Sequence, residues 1–190
     1  MNTNMKTIKF LTLALAASLI FTSCNDDDDI PDDVNEEELI TTVTVTLVPN
    51  GGGTTVTLVA TDLDGAEGPN PPIYDVSGPL SLATSYMGSI EFLNETENPA
   101  EDITEEVEGE GDEHQVFYIP NDSLDVDVTY DGQDENGYPV GLEYTLTSGT
   151  ASTGTLNVVL RHEPNKPNNG TLSDAGGSTD VDVTFNIEVQ

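Results

Sequence analysis

Apolar and polar residues alternate along most of the chain after residue 38, and this alternation restricts the fold more than any other feature. The clearest run lies at the C-terminus, where the apolar positions are Val181, Val183, Phe185, Ile187 and Val189. Successive side chains of a strand point to opposite faces, so a period of two places all these residues on one buried face. The intervening polar residues, which begin at Asp180, are then expected on the solvent face.

Similar runs recur between short segments rich in Gly, Asn and Pro. They cover residues 43–47, 56–60, 86–92, 116–119, 124–130, 140–146 and 156–160. Gly51-Gly52-Gly53 separates the first two runs, which indicates a hairpin. About eight short strands of this kind are typical of an antiparallel β-sandwich, immunoglobulin-like or related. The sequence therefore predicts an all-β domain over residues 39–190.

One short helix is expected within this domain, at Pro99–Glu108. Asn98 can cap it, and Pro99 suits the first helical position. Ile103 and Val107 are spaced i,i+4, so one stripe of the helix would be buried.

The first 23 residues have the pattern of a signal peptide. Lys6 and Lys9 precede the apolar run Phe10–Phe21, which is too short to span a membrane as a helix. Phe21-Thr22-Ser23-Cys24 resembles the lipobox of bacterial lipoproteins, although that family usually has Leu at the first of these positions. The resemblance implies that Cys24 is acylated and anchors the chain to the outer membrane. The single Cys also excludes an intrachain disulfide.

An acidic segment follows the cysteine. Asn25–Asp29 resembles the export signal of surface lipoproteins in the Bacteroidota, which implies a cell-surface location. A lipoprotein that faces the periplasm, with a plain acidic tether, is the alternative. Residues 25–38 hold nine acids and almost nothing apolar, so residues 24–38 are predicted to be a lipidated cysteine followed by a disordered acidic tether.

The charge balance excludes a nucleic-acid partner, and the sequence lacks the motifs expected of an enzyme. The chain has 36 Asp and Glu against 4 Lys and Arg, a formal charge of −32. Phosphate binding requires a basic surface, so a nucleic-acid partner is excluded. No nucleophile–base pair, phosphate loop or HExxH motif is present, and we expect no enzymatic activity.

Two histidines are the strongest candidates for a binding site. His114 precedes the run 116–119, and His162 ends the run that begins at residue 156. Each has an acidic neighbour, Glu113 and Glu163 respectively. Imidazole with carboxylate suits Zn²⁺ or Cu²⁺, and a bis-histidine haem is a further option. Two unrelated surface histidines are the alternative.

The sequence contains two weaker site patterns. Asp62, Asp64, Glu67 and Asn70 lie in a Gly-containing loop that could bind Ca²⁺ through oxygen ligands, or form an ordinary turn. Asp122-Ser123-Leu124 resembles the O-glycosylation sequon of exported Bacteroidota proteins, which implies a glycan on Ser123.

Two longer segments, residues 78–118 and 179–189, resemble small, uncharacterised flavobacterial-type lipoproteins. These are sometimes labelled type 1 periplasmic-binding-fold proteins. That fold needs repeated βαβ units and parallel strands, whereas the alternating runs here favour antiparallel strands.

Together these patterns predict a surface lipoprotein that binds a ligand. The favoured hypothesis is capture of a metal ion or metal complex for a TonB-dependent receptor, with His114 and His162 as ligands and Glu113 and Glu163 assisting. A calcium-stabilised adhesion or structural module is the alternative.

Overall fold

The computed structural model describes residues 38–65 and 68–190, and these residues form mainly antiparallel β-sheet. The strands are β1 (Thr42–Pro49), β2 (Val56–Thr61), β3 (Ile73–Val76), β4 (Ser85–Asn94), β5 (Glu101–Asp102), β6 (His114–Pro120), β7 (Val126–Tyr130), β8 (Glu143–Ser148), β9 (Ser152–His162) and β10 (Ser178–Val189). Two short helices are α1 (Ile103–Gly109) and α2 (Leu172–Ala175). The predicted all-β, sandwich-like fold is confirmed.

Several sequence predictions concern residues outside those that the structure describes. They are the signal peptide 1–23, the acylated Cys24, the tether up to residue 37, and Glu67 of the calcium hypothesis. Within the described part of the chain, no helix is both long and apolar enough to span a membrane.

The strands divide between two sheets. The larger has the order β3-β2-β1-β4-β8-β7, with β5 paired to β4, and the smaller has the order β10-β9-β6. The predicted hairpin is formed by β1 and β2, in a register that pairs Val45 with Leu58 and Leu47 with Val56. Gly52 and Gly53 adopt positive φ in its turn, a conformation that glycine adopts at little cost.

The core contains the apolar faces of both sheets. Its largest fully buried side chains include Phe92 and Tyr144 from the larger sheet, and Phe185 and Leu160 from the smaller one. The alternation of apolar and polar residues therefore predicts correctly which face of these strands is buried. The strands β3 and β5 were not predicted, because β3 is largely exposed and β5 has only two residues.

The helix α1 begins later than predicted. Glu101 and Asp102 pair with β4 as strand β5, so the backbone is extended where the sequence suggested a first helical turn. Asp102, rather than Asn98, is the N-cap, and its carboxylate accepts a hydrogen bond from the Thr104 amide. Ile103 and Val107 are buried as expected.

A β-bulge interrupts β10 and decides where one carboxylate points. Thr179 pairs with Arg161 and Val181 pairs with Leu160, which leaves Asp180 as an extra residue between two paired positions. The prediction that Asp180 faces solvent is wrong, since its side chain is fully buried. The bulge breaks the period of two on which that prediction rested.

Candidate metal centre

His114 and His162 are directly opposite each other at one end of the smaller sheet. His114 opens β6, His162 closes β9, and the two residues are paired across the strands. Each shares the core-facing parity of its strand, with Val116 and Leu160 as the next residues on that face. The two imidazoles stack with ring centroids 4.7 Å apart and planes inclined by 24°. The structure therefore brings together the two histidines that the sequence could not place.

Asp180 is the third member of this cluster. Its Oδ2 lies 3.9 Å from Nε2 of His114, and neither side chain is exposed. One ligand atom from each of His114, His162 and Asp180 can be chosen so that all three lie within 4.8 Å of one another. We call these three residues the inner set.

The tautomer of His114 follows from its hydrogen bond. Its Nδ1 lies 3.2 Å from the carbonyl oxygen of Glu110, which can only accept, so Nδ1 carries the proton and donates it. In the neutral ring, Nε2 is then a lone-pair acceptor. This atom is buried and has no hydrogen-bond partner among the described residues.

Burial favours that neutral ring. It lowers the pKa of His114, the neighbouring His162 lowers it further, and the hydrogen bond to Glu110 acts in the opposite direction. Nε2, which then carries the lone pair, lies 3.9 Å from an oxygen of the Asp180 carboxyl group, and both side chains are buried. An imidazole nitrogen and a carboxylate oxygen are both ligands that a divalent transition-metal ion accepts.

A second group of ligands surrounds the outer side of His162. Its Nε2 lies 3.9 Å from Oε2 of Glu113, and Glu163 completes a set with mutually close ligand atoms. We call Glu113, His162 and Glu163 the outer set. The side chain of Glu113 is 55% exposed and that of His162 is 10% exposed, so the outer set reaches solvent.

Backbone contacts hold the outer set in place. The amide of Glu163 donates a hydrogen bond of 2.6 Å to the carbonyl oxygen of Glu113. Glu163 adopts φ +50°, a left-handed conformation that is uncommon for a residue with a side chain. Gly177 packs so closely that a Cβ there would lie 2.3 Å from the carbonyl oxygen of His162.

Further carboxylates surround this end of the domain. The pKa of Glu38 is raised by its partial burial and by the charges of Glu106, Asp180 and Glu110. Glu38 and Asp180 also line a cleft of about 790 Å³. Clefts with walls of one charge sign concentrate counter-ions, so this end of the molecule attracts cations.

The geometry suits a single ion better than a haem. A bis-histidine haem needs its two axial nitrogens on opposite faces of the macrocycle. The imidazoles of His114 and His162 instead stack side by side, at a separation that leaves no space for a porphyrin between them. The ligand types present, two imidazoles with carboxylates, are those that Zn²⁺ and Cu²⁺ prefer.

The loop considered for calcium is closed by its own hydrogen bonds. Oδ2 of Asp64 accepts from the backbone amide of Asn70 at 3.1 Å and from its side-chain Nδ2 at 2.8 Å. The backbone bond from Asn70 contributes most to lowering the pKa of Asp64. Asp62 is half-buried nearby. Asn70 therefore directs donors, not an oxygen ligand, at the carboxylate of Asp64.

Ser123 lies in an exposed turn before β7. Its hydroxyl donates a hydrogen bond of 3.0 Å to Oδ1 of Asn121. The position is accessible, as a modification site must be.

The sequence pattern identified four of the residues in this centre and missed Asp180. The acid was assigned to the solvent face because the apolar residues after it alternate without interruption. The available signal was the Gly176-Gly177 pair, since glycines with positive φ often accompany irregular strand pairing.

No family model, curated protein or solved structure matches this chain.

Proposed function

We propose that this protein is a metal-binding lipoprotein that holds a divalent transition-metal ion in the inner set. Acylated at Cys24 and displayed on the outer face of the outer membrane, it would capture the ion for a TonB-dependent receptor. The N-terminal sequence pattern supports the membrane location, and the arrangement of the inner set supports the metal site.

One observation supports the metal above all others. Nε2 of His114 faces Oδ2 of Asp180 at 3.9 Å, with both side chains fully buried. This separation is too long for a hydrogen bond, so a shared proton does not account for it. Two metal–ligand bonds of about 2.0–2.2 Å can span it.

The inner set would tighten around an ion. In tetrahedral coordination, bonds of this length place ligand atoms about 3.3–3.5 Å apart. The spacing of 3.9 Å between His114 and Asp180 would then close by roughly half an ångström, a movement that side-chain rotation can supply. Three protein ligands leave a fourth position for a water molecule, which suits an ion that must be released.

The burial of these ligands favours capture over catalysis. His114 is fully buried and His162 is 8% exposed, so the inner set offers little room for a substrate beside the ion. The surrounding carboxylates would raise the local concentration of cations without giving specificity. Specificity for a transition metal over Ca²⁺ would come from the two imidazoles.

The test is calorimetric titration of the full chain with Zn²⁺ in excess Ca²⁺, which occupies diffuse carboxylate sites. Cys24→Ser in all samples removes the one competing thiol. We expect one tight site, lost in His114→Gln and in Asp180→Asn. Asp182→Asn is the matched control, because Asp182 lies two residues along the same strand and is exposed. Equal binding by Asp180→Asn and Asp182→Asn would refute the proposal.

A further inference from the structure

We infer that the outer set is a transfer position, through which the ion passes to and from the inner set by way of His162. This inference rests on the proposed function and adds a route for exchange. It also assigns the partner a chemical class: a donor or acceptor that presents its own metal ligands to Glu113 and Glu163.

The two sets share one residue, and that residue has two nitrogens. Nε2 of His162 lies 3.9 Å from the carboxylate of Glu113, which belongs to the outer set. Nδ1 of the same ring is buried and has no hydrogen-bond partner among the described residues. One ring therefore offers an unengaged, buried ligand atom in addition to the atom that faces the outer acids.

Exposure decreases in steps from one set to the other. The side chain of Glu113 is 55% exposed, that of His162 is 10% exposed, and that of Asp180 is fully buried. A partner can therefore reach Glu113 directly, but not the side chain of Asp180. An ion that arrives at Glu113 and Glu163 would contact His162 before it meets His114 or Asp180.

Backbone contacts fix the positions of Glu113 and Glu163 relative to His162. The hydrogen bond from the Glu163 amide to the Glu113 carbonyl fixes the two residues relative to each other. Glu163 keeps its left-handed backbone, which costs free energy unless the surrounding structure imposes it. The close contact of Gly177 with His162 and Glu163 imposes this conformation from the other side.

This arrangement has a kinetic signature. A transfer position lowers the barrier between solvent and the inner set, so its removal slows loading and release by the same factor. The equilibrium affinity, which depends on the inner ligands, then changes little. A purely electrostatic role of the two acids differs, because loss of negative charge slows loading and speeds release.

The experiment compares the parent chain with Glu113→Gln/Glu163→Gln, both carrying Cys24→Ser. Stopped-flow fluorescence follows Zn²⁺ loading and its removal by an excess of chelator. We expect both rate constants to fall by about tenfold or more, with the dissociation constant within about threefold of the parent value.

Glu106→Gln/Glu110→Gln is the matched control, since both acids contribute charge at the same end of the domain but belong to neither set. We expect this control to slow loading and speed release, which is the signature of a purely electrostatic effect. If the Glu113/Glu163 variant keeps both parent rate constants, or slows loading while speeding release, the transfer position is refuted. If the parent chain binds no Zn²⁺ tightly, the proposed function fails and this inference with it, so the two failures are distinguishable.

Discussion

Nε2 of His114 and Oδ2 of Asp180 lie 3.9 Å apart, and neither side chain is exposed. The carbonyl of Glu110 fixes the proton of His114 on the opposite nitrogen. In the neutral ring, Nε2 of His114 therefore keeps its lone pair. Binding of a cation by this nitrogen and the Asp180 carboxylate would link the stability of this end of the domain to the bound ion.

Zn²⁺ should stabilise the parent chain against heat. A ligand that binds only the folded state adds about 2.7 kcal/mol to the free energy of unfolding when its free concentration is 100 times the dissociation constant. We expect a rise in melting temperature on addition of Zn²⁺, measured by circular dichroism, and its reversal by a chelator. In His114→Gln the rise should disappear. An equal rise in that variant would place the ion elsewhere on this acidic chain.

Gly177 should be intolerant of a side chain. Its φ of +71° disfavours any other residue, and a Cβ would lie 2.3 Å from the carbonyl oxygen of His162. Gly170 provides the control, with φ +83° and no atom within 4 Å of the same Cβ. We expect Gly170→Ala to cost about 1 kcal/mol of unfolding free energy.

Gly177→Ala should cost at least about 2 kcal/mol more than its control, and it should also weaken Zn²⁺ binding, because His162 must move. Urea unfolding and calorimetry measure the two effects. Equal costs for the two substitutions would show that the contact with His162 does not constrain the centre.

The buried ion pair of Lys166 and Asp134 should support the fold independently of metal. Nζ of Lys166 lies 3.0 Å from Oδ2 of Asp134, with side chains 6% and 1% exposed. Asp134→Asn leaves the ammonium with the carbonyl of Gly111 as its remaining partner. We expect Asp134→Asn to lower the free energy of unfolding, measured with urea at pH 7, by about 3 kcal/mol. Glu135→Gln is the control, because Glu135 is the next residue and is exposed, and its free energy of unfolding should stay near the parent value. A similar small effect of both substitutions would contradict this role.

The same pair predicts how stability depends on pH. Burial raises the pKa of Asp134, but the Tyr138 amide and the Lys166 ammonium outweigh it, and the pKa lies below its ordinary value. As pH falls, the Asp134 carboxylate therefore becomes protonated at a higher pH in the unfolded chain than in the folded one. The stabilisation by Asp134 is fully present above about pH 4 and is lost as pH drops through the lower folded-state pKa. The difference in stability between the parent chain and Asp134→Asn should shrink over that range.

Gly88 should be required by the core rather than by the site. It pairs with Tyr144 across β4 and β8, and a Cβ there would lie 2.4 Å from the tyrosine ring. The ring is itself packed on Tyr118, with centroids 3.9 Å apart. We expect Gly88→Ala to cost about 2 kcal/mol, because a tightly packed interior does not accept an extra methyl group.

Gly78→Ala is the control, since nothing lies within 4 Å of its Cβ. Unchanged or slightly increased stability is expected there. If Gly88→Ala unfolds at the same urea concentration as Gly78→Ala, the contact of Gly88 with Tyr144 is not a constraint on the core.

The strands of the core could be predicted because their buried apolar residues alternate with polar residues along the sequence. The run from Val181 to Val189 shows this period most clearly. Strand β3 could not be predicted in this way, because its residues are mostly exposed and its sequence does not alternate.

The candidate metal centre could not be predicted from such a pattern, because it depends on which residues are paired across strands. His114 and His162 are 48 positions apart in the printed sequence, and only the pairing of β6 with β9 makes them neighbours. The burial of the Asp180 side chain depends on a β-bulge, and a bulge is defined by the pairing of two strands, which the sequence of one strand does not show.

The most direct test of the metal centre is X-ray absorption at the zinc edge, on the full chain carrying Cys24→Ser and loaded with one equivalent of Zn²⁺. Nitrogen and oxygen neighbours at about 2.0–2.1 Å are expected, with the outer-shell scattering of two imidazoles. His114→Gln, mixed with one equivalent of Zn²⁺, should lose the scattering of the two-imidazole centre, because the tight site is lost. A spectrum of oxygen ligands without imidazole scattering in the parent chain would contradict a centre built on His114, His162 and Asp180.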